Sequence, residues 1–424
     1  MIAPRQGRRE RSYLKGTGAT EDAAWVRAAR PGGTDYVSSN SPSDNGKVSG
    51  GPHDVAVVLS GGGMNGVLME LGFLRRIEES ELWPRVGWIF GTSAGALSGA
   101  MAALDRLDDL EALLLDLQAE ETFRPNRLWR LPLLGVHEYA LPRTLERRYG
   151  DLTALAEELA AAERELVVVA TDASPPDGRP EDRDYELVYS SRLTPPEEMA
   201  QAVLASAAIS ALVLPLQVGG RIATDGSWVR NLPLAHAYAR PEVRAIVAFR
   251  YVPRYPTIGI GMLERLRSRL ERFGRVPHVR AFVAELRAAE ERHERGEPGH
   301  FAEMILRLAR ASIVRNTVLE ERLADEKDQS VHELDRLRHD VDELLAERAV
   351  RPEVREAVNA RFEAAEFPFR HDRAIPRVMV RGTAEEVSLE PGFREQQPWT
   401  KEAKRTLIAR GYELADAELA AFDI

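Results

Sequence analysis

Ser93 sits in the pentapeptide Gly91-Thr92-Ser93-Ala94-Gly95, between an apolar run from Val86 to Phe90 and a run of small residues from Ala94 to Ala100. Strand, turn and helix in that order push the serine out of the strand with its hydroxyl exposed. The flanking glycines permit the tight backbone and a close approach of helix to strand. The helix also aims free N–H groups and a partial positive charge at whatever sits on the serine. This is the chemistry of a serine nucleophile. A small-residue turn where a helix crosses a sheet uses the same letters, so the pentapeptide alone leaves both readings open.

A second stretch bears on the choice. Ser60-Gly61-Gly62-Gly63-Met64-Asn65-Gly66 follows the valine-rich run Asp54–Leu59 and precedes Val67, Leu68, Leu71, Leu74 and Ile77 at helical spacing. Strand, glycine loop and helix together form an anion-binding nest of backbone N–H groups. A dinucleotide site would want an acidic residue after the next strand, and that strand ends in the serine turn instead. A phosphate loop would want Lys followed by Ser or Thr after the last glycine, where Val67-Leu68 stand. An oxyanion hole serving the serine one strand–helix unit later fits best. Downstream, Asp225-Gly226 follows a hairpin signal at Gly219-Gly220; taken alone, such an aspartate only makes a turn. His137 and His236 are the histidines a Ser-His-Asp triad would draw on, and each suits a polar surface or packing role better.

The elements that must position these groups read as an α/β protein. Continuous apolar runs at Asp54–Leu59, Val86–Phe90, Glu165–Ala170 and Ala245–Phe249 suit strands buried on both faces of a mostly parallel sheet. Tyr185–Tyr189 and Val378–Val380 add strands, and Lys401–Arg410 a closing helix. Four segments are expected: a disordered tail at 1–52, a catalytic core at 53–257, a charged helical region at 258–374, and a last strand and helix at 375–424 that return to the core. The tail is too poor in apolar residues to offset its chain entropy. In the helical region, Leu334, Leu337, Val341 and Leu344 have the 3-4-3 spacing of a helical hairpin or short coiled coil, and the charges read as solvated faces with i,i+4 pairs.

Composition limits the function. The formal net charge of −10 argues against a nucleic-acid binder, and the absence of cysteine excludes disulfides and thiolate chemistry. No apolar run nears the roughly 20 residues that span a bilayer. Arginines interrupt the N-terminus where a secretory segment would be apolar. The expectation is a cytoplasmic protein with peripheral contact at the inner face of the membrane. Phe123–Leu134 and the arginine-rich helix around Leu263–Phe273 are the two stretches that suit such contact.

Taken jointly, SGGGMNG at 60–66, GTSAG at 91–95, ASAAI at 205–209 and DGSWVRNLPL at 225–234 resemble the patatin-like phospholipase family. The stretches RVMVRGTAEEVSLEPGF and LIARGYELADAEL resemble that family's ending, so the likeness spans roughly residues 53–255 and 375–420. The resemblance implies a three-layer α/β/α sandwich and a Ser–Asp dyad in place of a triad. Ser93 would be the nucleophile, Asp225 its partner, and Gly61, Gly62 and Gly63 the oxyanion hole. Asn65, Gly66, Gly91, Gly95 and Gly226 would support the motifs. No metal or cofactor is implied. The implied activity is hydrolysis of lipid carboxylic esters, of the phospholipase A or lysophospholipase type, through an acyl-enzyme. The implied partner is a lipid or another long-chain ester, with the helical region free to make a homodimer or hold a protein. Asn65 stands where the family carries Arg or Lys, and Ser227 where glycine or alanine is common. The alternatives are a transacylase using the same dyad, a catalytically degenerate scaffold or regulatory protein, and, least favoured, a nucleotide-binding protein using Gly61–Gly66.

Overall fold

Valine-rich runs without polar alternation form the centre of a sheet covered on both faces. The computed structural model describes residues 53–126, 137–175, 185–209, 213–252, 260–273, 275–295, 297, 301–364, 375–383 and 399–420. The expected tail at 1–52, the segment 127–134 and most of RVMVRGTAEEVSLEPGF beyond residue 383 lie outside these.

The strands are β1 (Val55–Leu59), β2 (Val86–Thr92), β3 (Phe123–Pro125), β4 (His137–Tyr139), β5 (Glu165–Asp172), β6 (Glu186–Ser190), β7 (Leu216–Val218), β8 (Arg221–Asp225), β9 (Ala245–Tyr251) and β10 (Arg377–Gly382). The helices are α1 (Gly63–Glu78), α2 (Ala94–Ala103), α3 (Leu107–Asp116), α4 (Leu141–Tyr149), α5 (Leu152–Ala161), α6 (Pro196–Ser206), α7 (Leu234–Ala239), α8 (Ile260–Glu271), α9 (Pro277–Glu294), α10 (Phe301–Glu347), α11 (Pro352–Glu363) and α12 (Lys401–Ala420). Single helical turns lie at Trp83–Arg85, Ala119–Thr122 and Ser227–Arg230.

In the main sheet β10, β9, β1, β2 and β5 run parallel in that order, while β6, β7 and β8 add antiparallel pairings. Side chains alternate across the pleat. Val55, Val57 and Leu59 face a core with α1, α2, α3 and α12, whereas Ala56 and Val58 face Leu234, Tyr238 and Ala324 from α7 and α10. This is a three-layer α/β/α arrangement with a helical region attached.

The register at β5 positions the site. Val167, Val168 and Val169 pair with β2 and β6 at once, and Ala170 and Thr171 pair with β6 and β8 at once. β6 therefore holds one edge of β5, and β2 and β8 share the other, meeting head to head. Thr92 lies opposite Val169 and Asp225 opposite Ala170. The ends of the two strands are neighbours because β5 aligns them on consecutive residues.

Helix α12 lies along α1 in close backbone contact. A Cβ on Gly72 would stand 1.9 Å from the Ile408 carbonyl oxygen, and one on Gly411 would stand 2.0 Å from that of Met69. Only glycine at both crossing points permits this distance.

The helical region departs from expectation. Its surface does carry i,i+4 pairs such as Arg322–Glu326. One face of α10, however, is engaged through charged and polar residues, with Thr317 and Glu321 buried and Asp325 exposed. Glu320 binds Arg230, Glu321 binds Arg250 and Arg381, and Asp325 and Asp328 bind Arg377. The leucine stripe is not a buried seam, since Leu337 and Leu344 are both about half exposed. Isolated charges on a helix sequence read as solvated, and their partners lie in distant elements that sequence spacing does not reveal.

Candidate active site

Ser93 is the residue between β2 and α2, and its backbone is strained. Its φ of 54° and ψ of −115° lie in a region that side chains other than glycine rarely occupy. Ser93 N–H donates to Ser206 Oγ at 2.8 Å, and Ser206 Oγ donates to the Val169 carbonyl at 2.6 Å. Ser206, from the ASAAI stretch, thus clamps the turn to β5. The turn also needs Gly95, because a Cβ there would lie 2.6 Å from the Leu59 carbonyl oxygen.

Ser93 Oγ donates to Asp225 Oδ2 at 2.9 Å. The other carboxylate oxygen, Oδ1, accepts the Ser227 N–H at 2.8 Å. Asp225 is the last residue of β8 and not, as expected, a loop residue. Its main chain is fixed at both ends: its N–H donates to Ala208 O at 3.1 Å, and its carbonyl accepts from Thr171 Oγ1 at 2.7 Å. Burial pushes the Asp225 carboxyl above its ordinary range, and the hydrogen bonds from Ser227 and Ser93 oppose the shift. The Ser93 hydroxyl is not exposed as expected, because both residues are only 5% exposed. The clamp and the dyad partner crowd it from two sides.

The glycine loop stands beside them. A Cβ on Gly61 would meet Asn231 Oδ1 at 2.4 Å, Ser227 Oγ at 2.5 Å and Ser93 Cβ at 3.1 Å. Gly61, expected among the oxyanion donors, has its N–H committed to the Asn231 carbonyl at 3.0 Å. Gly62 and Gly63 open α1, and among the described residues their N–H groups have no acceptor. Gly66 N–H closes the first turn onto Gly62 O at 2.8 Å. Gly63 has a φ of +57°, with open space where a Cβ would point. Asn65 is fully buried and donates to the Tyr251 hydroxyl at 3.0 Å, so the neutral residue at the family's basic position is tied into the core.

The histidines stand apart from this arrangement. His236 Nε2 pairs with Glu186 at 2.7 Å, and His137 lies in β4 opposite Pro125. Among the described residues no histidine hydrogen-bonds Ser93 or Asp225. Burial works against the Glu186 carboxylate, but His236 and Arg230 outweigh it and hold its pKa down to about 2. No cluster of three metal-ligating side chains occurs among the described residues.

Two residues near the site escaped the sequence reading. Asn231 lies in the quoted DGSWVRNLPL stretch, but its role was not legible. Its Nδ2 donates to Thr317 Oγ1 of α10 at 2.9 Å and reaches the Gly61 carbonyl at 3.4 Å. Asn231 Oδ1 is buried without a partner. Thr317 is itself fully buried and carried no signal, being one threonine in a long charged helix. Through Asn231, the helical region touches the residue that begins the glycine loop.

Residues 57–238 match the family described as Patatin-like phospholipase. No curated protein matches the chain. Among solved structures, VipD from Legionella pneumophila is a loose likeness: 14% identity, 87% of this chain and 67% of that one covered, and a TM-score of 0.39. No helix among the described residues is long and apolar enough to cross a membrane.

Proposed function

We propose, from the premise that residues 57–238 form a patatin-like phospholipase domain and so belong to a group of lipid acyl hydrolases, that this chain cleaves lipid carboxylic esters through a Ser93–Asp225 dyad. The observation that carries the reading is the 2.9 Å bond from Ser93 Oγ to Asp225 Oδ2 inside a strained turn. As Ser93 Oγ attacks the ester carbonyl, its proton passes to Asp225. Burial supports this role, since a carboxylate whose pKa is raised is a stronger base. The oxyanion faces the N–H groups of Gly62 and Gly63, and each such donor stabilises the transition state by about 3 kcal/mol. Gly61 shapes the hole and does not donate into it. Asp225 returns the proton to the leaving alcohol. It then deprotonates the water that releases the acid from the acyl-enzyme.

The phospholipase A or lysophospholipase type rests on the family alone. The test is incubation of wild type and Ser93→Ala with a mixed lipid extract, with released fatty acids identified by mass. Free acid from wild type only is expected. No acid from either, together with no labelling of Ser93 by a fluorophosphonate, would overturn the reading and favour the scaffold. Transfer to an added alcohol in place of free acid would mark a transacylase.

A further inference from the structure

The hairpin of α8 and α9 presents a surface that neither its own packing nor the site uses. Val283, Leu286 and Ala289 of α9 form a stripe at 3-3 spacing and are buried, as expected for the face that packs inward. Phe273, Val276 and Phe282 point elsewhere and are 62%, 48% and 47% exposed. Phe273 and Val276 lie in the turn itself, where the Phe273 N–H bonds back to Leu270 O and the Val276 N–H to Phe273 O. The packing of the hairpin does not account for these three exposed apolar side chains.

The charges around them agree with one kind of partner. Arg269, Arg272, Arg275 and Arg280 are all exposed, and none makes an ion pair among the described residues. The acidic residue among them, Glu271, is engaged by Arg267 at 2.7 Å and Arg287 at 2.9 Å. Glu285 lies more than a turn further along α9. The turn is therefore locally cationic on a chain whose formal net charge is −10. What distinguishes these four is their place: they lie on the turn and on the helix ends that flank it, beside the exposed apolar side chains.

We propose that the α8–α9 turn is the edge by which this protein docks on an anionic lipid surface. The arginines would lie among lipid phosphates and Phe273, Val276 and Phe282 would enter the boundary between headgroups and acyl chains. The three apolar side chains favour a bilayer over a nucleic acid, which would meet the arginines and leave the aromatics in water. The choice of a lipid rests on the proposed function. Docking is nevertheless read without turnover, so an inactive chain that binds and an active chain that does not are distinct results.

The test uses the full chain carrying Ser93→Ala, so that vesicles stay intact, sedimented with vesicles of phosphatidylcholine alone or with added phosphatidylglycerol. Each arginine near an anionic surface strengthens binding by about fivefold. Arg272→Gln with Arg275→Gln should therefore weaken binding to the anionic vesicles by roughly 25-fold at low salt, with unchanged circular dichroism and thermal midpoint. Phe273→Ala with Phe282→Ala should weaken it as well, with less dependence on salt. Binding that is equal on neutral and anionic vesicles, or equal in the variants and the parent, would overturn the proposal. So would failure of the parent to bind, which would leave a protein partner as the reading of the patch.

Discussion

The dyad and the seam beneath α10 are both polar and largely buried, yet they are built in opposite ways. At the dyad, strand ends brought together by β5 fix the groups, and the side chains are short: Ser93, Ser206, Asp225 and Ser227. At the seam, long side chains reach across the molecule. Arg230 meets Glu320 over a separation of 90 residues, and Arg381 meets Glu321 over 60. A site placed by backbone keeps its geometry under local change. A contact made by long charged side chains is strong only while every charge keeps its partner.

Predictions that break this contrast follow from its two halves. Asp225→Asn keeps the shape and removes the base, so ester turnover should fall by about 10⁴-fold or more, with the thermal midpoint held or raised. His236→Ala should leave the rate nearly intact. Retained turnover in Asp225→Asn would sink the dyad. The acid limb of kcat/KM should also lie above the ordinary carboxylate range, because burial raises Asp225 and the base must be ionised to act.

The seam should answer in stability and not in rate. Arg230→Met leaves Glu320 buried without its cation and Glu186 with His236 alone, at a cost of about 3–5 kcal/mol in urea unfolding. The turnover of the protein that remains folded should change little. A loss of rate matching that of Asp225→Asn would mean the two regions are one unit.

Thr317→Val probes the point where the regions meet. Removing the hydroxyl leaves Asn231 Nδ2 without its α10 partner next to Gly61. The expected result is roughly a tenfold fall in kcat, about the worth of one ordinary hydrogen bond, with KM unchanged and with rescue by Thr317→Ser. Equal rates in Val and Ser variants would show that α10 holds the fold and nothing more.

A last effect, read in stability against pH, concerns the joint between the two helices that open on the site. Glu70 of α1 is fully buried and accepts from Ser98 Oγ of α2 at 2.7 Å. Burial raises its carboxyl to about 8, against the lowering by Ser98. The folded pKa exceeds the unfolded one, so this stability is present below the ordinary glutamate range and lost as pH rises toward 8. Glu70→Gln should flatten the decline in thermal midpoint between mildly acidic and mildly alkaline pH. An unchanged slope would refute the role.

The same contrast explains what the sequence made legible. Buried parallel strands appeared as uninterrupted apolar runs, and the serine turn and glycine loop appeared because close backbone approach excludes a Cβ. Both signals are local. Asp225 was found through its motif, but its place at the end of β8 depends on β5 register, which no local pattern carries. The committed N–H of Gly61 depends on Asn231, 170 residues away. Glu320, Glu321 and Asp328 looked like solvent-facing charges because a carboxylate has the same letter whether or not an arginine from another element reaches it.

The Gly72–Gly411 crossing bears on how the molecule comes into being. Helix α1, which begins with Gly62 and Gly63 at the proposed oxyanion site, is backed by α12, and Arg76 pairs with Asp416 across 340 residues. On the ribosome, α1 emerges long before its backing helix exists. Until α12 arrives, the flank of α1 around Gly72 has no cover, although its other side already packs on the sheet. The final packing of α1, and with it the setting of Gly62 and Gly63, should therefore be a late event in synthesis.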